Sequence, residues 1–440
     1  MRNVPAFALV ALVIGTVLRA ITLPLPGTSD VEAFKAWSYH ATTVGVTHAY
    51  GNERPMRRHT FTFGDREASA NYPPLTLDAL AIIGHLYQRA MGGQFPNTRA
   101  LTIAIKSVIC AMDVVLLAIV WRAVRRMGGS QAAWWAAAAY WINPAAILTS
   151  ALGYIDVWFA VPAVASLVAA SFGRPLVAGA LFAGAVLTKQ QAIFLAPVVI
   201  VALWNAGDPR DARARLSSAL ATATLVIVLV VAPIVLAGTM PNMLRAVGSV
   251  AFQTMLSGNA CNLWWIVGYG FQIADAAREG VPLSAALTMP VNIVLIPQLP
   301  VVGPLNARVI AIVLTGAAWA WGLWIGRHTR DLGLHAAVAA FLVHAYFTLS
   351  TQVHENHFFL AVPLLAIAAS LGREYVPVLT TLSIIFALNL YLFYGVTGEP
   401  PSPAMRTLTA IDSTVLVAIA NCAALVWHAR VLARTASARE

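Results

Sequence analysis

Two acids two residues apart, Asp30 and Glu32, open a polar stretch from Thr28 to Pro74 in an otherwise very apolar chain. Further along stand Asp156 in GYIDVW, Lys189 and Gln190 in LTKQQ, and His354, Glu355 and His357 in QVHENHFF. A carboxylate can take a proton from a hydroxyl as that hydroxyl attacks. Lys, Arg and His can hold an anion and the charge it develops on leaving. Arg54, Arg57 and Arg58 add positive charge to the first stretch. A phosphate on a lipid would use all of these groups, with its tail in an apolar groove between helices. Groups of this kind at membrane depth are costly, which favours a functional reading.

The elements that must position them are helices in lipid. The chain is 59% hydrophobic and 10% charged, with a mean hydropathy of +0.73. Runs of about 20 apolar residues need a bilayer around them, and 440 residues make one polytopic unit without a large soluble domain. The net charge of +10 lies mostly in short loops between apolar runs, the positive-inside pattern. Nucleic acid is therefore not an expected partner. Cys110, Cys261 and Cys422 lie far apart without metal-ligand spacing, so neither a disulfide framework nor a zinc site is expected. Met1 to Leu23 carries only Arg2 before its apolar run and has Arg19 late in it, and it reads as an uncleaved first helix.

The charges give an order of about twelve spans, with both termini inside. They fall near 4–23, 100–121, 131–150, 156–172, 175–188, 190–204, 216–238, 306–325, 333–350, 357–371, 375–394 and 407–428. The run 75–87 is too short to cross. Arg122, Arg125 and Arg126 mark the inner side after the second span, which leaves 24–99 as a first external loop carrying the candidate catalytic residues. Residues 239–305 read as a second external loop with partly embedded helices. The expected class is an all-α integral membrane bundle with short amphipathic helices in two larger external loops.

Plainer readings stand beside these. Lys106 and Asp113 sit on one span and could simply pair. Glu32 could be a solvated loop acid; in an extended stretch it would point the same way as Asp30 and rival it as a base. His48 and His85 read as ordinary polar residues. Lys189 lies in a turn between short spans, which sets its ammonium toward a cavity. The His354, Glu355 and His357 set lacks a further ligand nearby, so hydrogen bonding or phosphate contact is preferred to metal.

These motifs carry a resemblance. SDVEAFKAW resembles the acid-x-acid segment in the first external loop of the GT-C superfamily, the polytopic glycosyltransferases that use polyprenyl-phosphate sugars. NYPPLT, LTKQQAIFLAPV and QVHENHFFLAVP resemble motifs of its dolichyl-phosphate-glucose-dependent glucosyltransferases, in the same order, and SGNACNLWW is similar to a stretch in bacterial members. Asn356 stands where that branch has lysine. The resemblance implies a GT-C bundle, inversion at the anomeric carbon, and no metal or other cofactor. It implies Asp30 as catalytic base, Lys189 and His354 near the donor phosphate, and Tyr72, Gln190 and Glu355 shaping the site; Glu32, Asp156, His357 and Arg58 complete the candidate substrate-binding set. Expected partners are a polyprenyl-phosphate sugar, a lipid-linked or glycan acceptor, and membrane lipid, at the extracytoplasmic face of a bacterial inner membrane. The runner-up is a transporter or flippase of a lipid-linked or anionic substrate, although no repeated halves are visible. An assembly scaffold would leave the one-sided gathering of polar residues without a reason.

Overall fold

The long apolar runs are helical in the structure, a computed structural model that describes residues 4–52, 58–250, 253–298, 306–402, 406 and 411–438. Two compact units divide the chain. One holds Thr16–Ile119 and Ser150–Phe252; the other holds Met1–Gly15, Val120–Thr149 and Gln253–Glu440.

The first unit takes in the end of α1 (Ala6–Thr22), from Thr16 on, which leads by a short link into α2 (Ser29–Val44). A hairpin of β1 (Phe61–Phe63) and β2 (Arg66–Ala68) follows. Its two-residue turn starts at Gly64, whose φ of 59° is the conformation a type II′ turn asks of its first residue. Next come α3 (Pro74–Ala90) and α4 (Arg99–Trp141), of which Arg99–Ile119 belongs to this unit. After α5 (Pro144–Leu152) the unit continues with α6 (Asp156–Ser171), α7 (Pro175–Thr188), α8 (Ala196–Asn205), α9 (Ala212–Leu236) and α10 (Met240–Ser249). α7 packs backbone to backbone against α9: a Cβ at Gly179 would overlap the Ala219 carbonyl. Gly179→Ala should therefore lower stability by about 1–3 kcal/mol, read as a lower thermal unfolding midpoint in detergent. An unchanged midpoint would mean that the two helices can part without loss.

The second unit contains α11 (Leu263–Arg278), α12 (Leu283–Thr288), α13 (Ala307–Gly326), α14 (Leu332–Leu349), α15 (Ala361–Leu371), α16 (Val376–Tyr394) and α17 (Ser413–Ser437). α14 is buried along nearly its whole length and forms the centre of the unit. Two short parallel strands, β3 (Ser257–Gly258) and β4 (Val353–His354), join the segments before α11 and after α14.

Among the described residues six helices are long and apolar enough to cross a membrane: α4, α9, α13, α14, α16 and α17. Five shorter apolar helices accompany them: α1, α6, α7, α8 and α15, the last two with their 3-10 lead-ins. The expected boundary between the second and third spans falls within α4. It joins two helices across a kink: the first takes in the run 100–121 and the arginines 122, 125 and 126, and the second begins the next run. The kink is at Gly129, with φ 79° and ψ −174°, where a side chain would be strained. The arginines are exposed in the last turns before that kink. The polar stretch 28–74 is also less loop-like than its composition suggests, since α2 and the hairpin occupy much of it.

Candidate functional site

The acid-x-acid segment is the first turn of a helix, and this changes what its two acids can do. Thr28 anchors the start of α2 through N–H and hydroxyl bonds to the Leu152 carbonyl (2.9 and 3.4 Å). Acids in a first turn are favoured by the helix dipole. Residues two apart on a helix diverge by about 200°, so Asp30 and Glu32 face different sides, not one side as an extended stretch would give. Four and seven residues on from Asp30, on its own face, come Phe34 and Trp37. Their rings pack on Tyr72, with centroids 6.3 and 5.2 Å away. Glu32, on the other face, accepts from Lys35 at 2.6 Å.

Tyr72 connects α2 to a buried ion pair. Lys189 Nζ lies 2.8 Å from Asp156 Oδ1, and the side chains are only 4% and 1% exposed. Asp156 is the first residue of α6. Lys189 ends α7 in extended conformation, before the 3-10 turn Gln190–Leu195. The ammonium sits 5.3 Å from the Tyr72 ring centroid and 5.7 Å from that of Phe159, distances at which a cation is attracted by the ring face. Thr76 Oγ1 donates to the Thr188 carbonyl at 2.6 Å, tying the start of α3 to the end of α7, and Tyr50 donates to the Tyr72 carbonyl at 2.7 Å.

Electrostatics follow from that packing. Burial pushes the Tyr72 phenol up to about 12; Lys189 opposes the rise and the charges of Asp30 and Asp156 add to it. Tyr72 is therefore a neutral hydroxyl at physiological pH. Burial would push Lys189 down, but Asp156, with Tyr72 beside it, outweighs this and holds the ammonium above the ordinary lysine range. Around the pair, Trp37 Nε1, Asn71 Oδ1, Gln190 Oε1 and Gln191 Oε1 are buried without a hydrogen-bond partner among the described residues. Such groups are costly unless something fills them, and a polar ligand would. Trp37, Asn71 and Gln191 were not singled out by sequence. The signal for Trp37 is its seven-residue spacing from Asp30, visible only once the stretch is read as helical.

The histidine motif belongs to the other unit. His354 lies on β4, paired in register with Gly258, and its Nε2 is 3.0 Å from Gln253 Oε1. His357 Nδ1 accepts from the His354 backbone N–H at 3.3 Å and faces the Tyr346 hydroxyl at 3.2 Å, which puts the proton of a neutral ring on Nε2. Glu355 is buried, with a carboxylate oxygen 4.0 Å from His354 Nδ1. Two non-glycine residues with positive φ, Gln352 (64°) and Asn259 (58°), flank the motif, strain of a kind that collects at functional sites. The Asn262 side chain caps α11 by accepting from Trp264 and Trp265 N–H (3.0 Å each), so part of SGNACNLWW is structural.

Other candidates are placed elsewhere. Arg58 is exposed and donates to Ser69 Oγ at 2.7 Å; Arg54 and Arg57 lie outside the described residues. Lys106 and Asp113 do not pair. Asp113 binds Arg19 (2.7 Å) and Ser150 (2.9 Å), whereas Lys106 donates to the carbonyls of Thr22, Leu25 and Ala151 at 2.8, 3.0 and 2.6 Å. Among the described residues no group of three or more His, Cys, Asp and Glu could hold a metal.

With this geometry in hand, the chain can be set beside known proteins. It superposes on the crystal structure of ArnT from Cupriavidus metallidurans bound to undecaprenyl phosphate with a TM-score of 0.52, at 13% identity over 98% of this chain and 77% of that one. The fold is of the GT-C type. The apo form of ArnT gives 0.50 over 97% and 76% of the two chains, also at 13% identity. A structure of the Archaeoglobus fulgidus oligosaccharyltransferase tethered to an acceptor peptide matches at only 0.41, over 55% of its length, too distant to build on. Residues 67–269 match the family model of PIG-U, described as a GPI transamidase subunit. Sequence comparison with curated proteins finds no match. These likenesses show the fold; they do not single out the glucosyltransferase branch.

Proposed function

We propose that this protein is an inverting glycosyltransferase that moves a sugar from a polyprenyl-phosphate donor to an acceptor at the extracytoplasmic face of a bacterial inner membrane. The observation that carries the reading is the face of α2 on which Asp30, Phe34 and Trp37 meet Tyr72 beside the Lys189–Asp156 pair. It combines a carboxylate, aromatic walls that can stack on a sugar, and unfilled amide groups at Asn71, Gln190 and Gln191. ArnT, whose fold is shared, is seen with undecaprenyl phosphate bound.

In this reading Asp30 takes the proton of the acceptor hydroxyl as its oxygen attacks the anomeric carbon from the side opposite the phosphate. The glycosidic bond to phosphate breaks, and the lipid phosphate leaves with the electron pair. Lys189 helps to hold the charge that develops, and the neutral Tyr72 hydroxyl and Gln190 orient the donor. Substrates can test this directly. Purified protein incubated with a panel of polyprenyl-phosphate sugars and membrane-extracted acceptors should release free polyprenyl phosphate from at least one of them. Binding without release across the whole panel would overturn the reading.

The match to PIG-U favours a second reading, a subunit that holds a lipid-linked glycan for a partner enzyme without transferring it. Donor binding without turnover, insensitive to loss of the Asp30 charge, is its signature.

A further inference from the structure

Glu32 and Lys35 lie on the face of α2 turned away from the Asp30 side, and there they line a cavity of about 570 Å³. Pro24 and Pro26 of the α1–α2 link form part of its wall. Asn97, Thr98, Arg99 and Thr102, around the start of α4, form the rest. All of these residues belong to the first unit.

The polar groups of this cavity are mostly donors. Lys35 is 5% exposed, yet its ammonium makes one hydrogen bond, to Glu32; among the described residues nothing accepts from its other two N–H groups. A buried ammonium left two bonds short is costly. Arg99 gives its Nε to the Pro24 carbonyl at 2.6 Å and has its two terminal nitrogens over. Asn97 and the threonine hydroxyls add further donors. Glu32, the one carboxylate, is already engaged by Lys35, so the lining carries one net positive charge. A donor-rich, net cationic cavity suits a ligand with several acceptor oxygens and negative charge. We infer that this cavity is a second binding site, separate from the Asp30 face, for a phosphate group, either free or on a lipid headgroup.

The assignment does not depend on the glycosyltransferase reading, and its test does not use turnover. Full-length protein in nanodiscs of zwitterionic lipid would be titrated with inorganic phosphate. In a parallel arm, nanodiscs doped with phosphatidic acid would report lipid-phosphate binding. Arg99→Gln, an exposed change that keeps the fold, should weaken binding about tenfold. Glu32→Gln should strengthen it, because Lys35 is then released and a negative charge removed; damage to the fold would not produce a gain. Arg89→Gln, an exposed change on α3 outside the lining, should leave it unchanged. Response to phosphatidic acid alone assigns the site to a lipid headgroup, and response to inorganic phosphate alone to a free anion. Binding to neither probe, or binding that ignores both Arg99→Gln and Glu32→Gln, would overturn the proposal.

Discussion

Asp30→Asn should lower turnover by about 10²–10⁴-fold, the usual cost of losing a general base, while donor affinity stays near that of the wild type. The substitution keeps the shape of the side chain and one acceptor oxygen and removes only the charge. Placement gives the expectation its force: Asp30 is in the first turn of α2, half-buried, on the helix face that carries Phe34 and Trp37 to Tyr72. Glu32→Gln is the control. Because Glu32 is turned to the other face and paired with Lys35, its loss should leave turnover within a few-fold of wild type. Release of polyprenyl phosphate and calorimetric donor binding, measured on both variants, decide the matter. A dead Glu32→Gln beside an active Asp30→Asn would move the base to Glu32. Two active variants would remove α2 from catalysis altogether.

The second large effect lies at Lys189. Lys189→Ala leaves Asp156 buried without its counter-ion, and breaking such a pair costs about 3–5 kcal/mol. The unfolding midpoint should fall sharply. Raised pKa values of bases stabilise fully below the unfolded value, about 10.4 for lysine, and that stability is lost only as pH rises through the folded one. The deficit should therefore be constant across neutral pH. Stability and ligand binding are separated by the double variant Lys189→Met with Asp156→Asn, which leaves no buried charge and should recover most of the midpoint. Donor binding should stay weak in it if the ammonium holds the donor phosphate. Recovery of both would make the pair a structural brace and take Lys189 out of the donor site.

What the sequence allowed was set by the range over which its signals act. Apolar runs are local, and the helices α6, α7, α9, α13, α14 and α16 fall within a few residues of the runs that announced them. Partners are not local. Lys106 and Asp113, neighbours along one helix, looked like a pair; each instead bonds to groups at least 37 residues away. Lys189 and Asp156 were both singled out, but their pairing across 33 residues was not, because only the packing of α6 on α7 brings them within 2.8 Å. Polar composition also hid α2. SDVEAFKAWSYHATTV lacks the apolar stripe of a spanning helix, and its helical period is carried by Val31, Phe34, Trp37, Ser38 and Ala41, which are buried. Read as extended, the same residues put Asp30 and Glu32 on one side.

The carbonyls that Lys106 collects come from the end of α1, from the α1–α2 link and from the end of α5. Three oxygens pointing at one centre would suit a captured monovalent cation; here the cation is tethered to α4. The link that launches α2 is thus fastened at Leu25, five residues before Asp30, by a side chain from far along the chain. The aim of that carboxylate is inherited from a hub in another helix. Loosening the hub would cost the protein its aim at position 30 and leave every charge there in place.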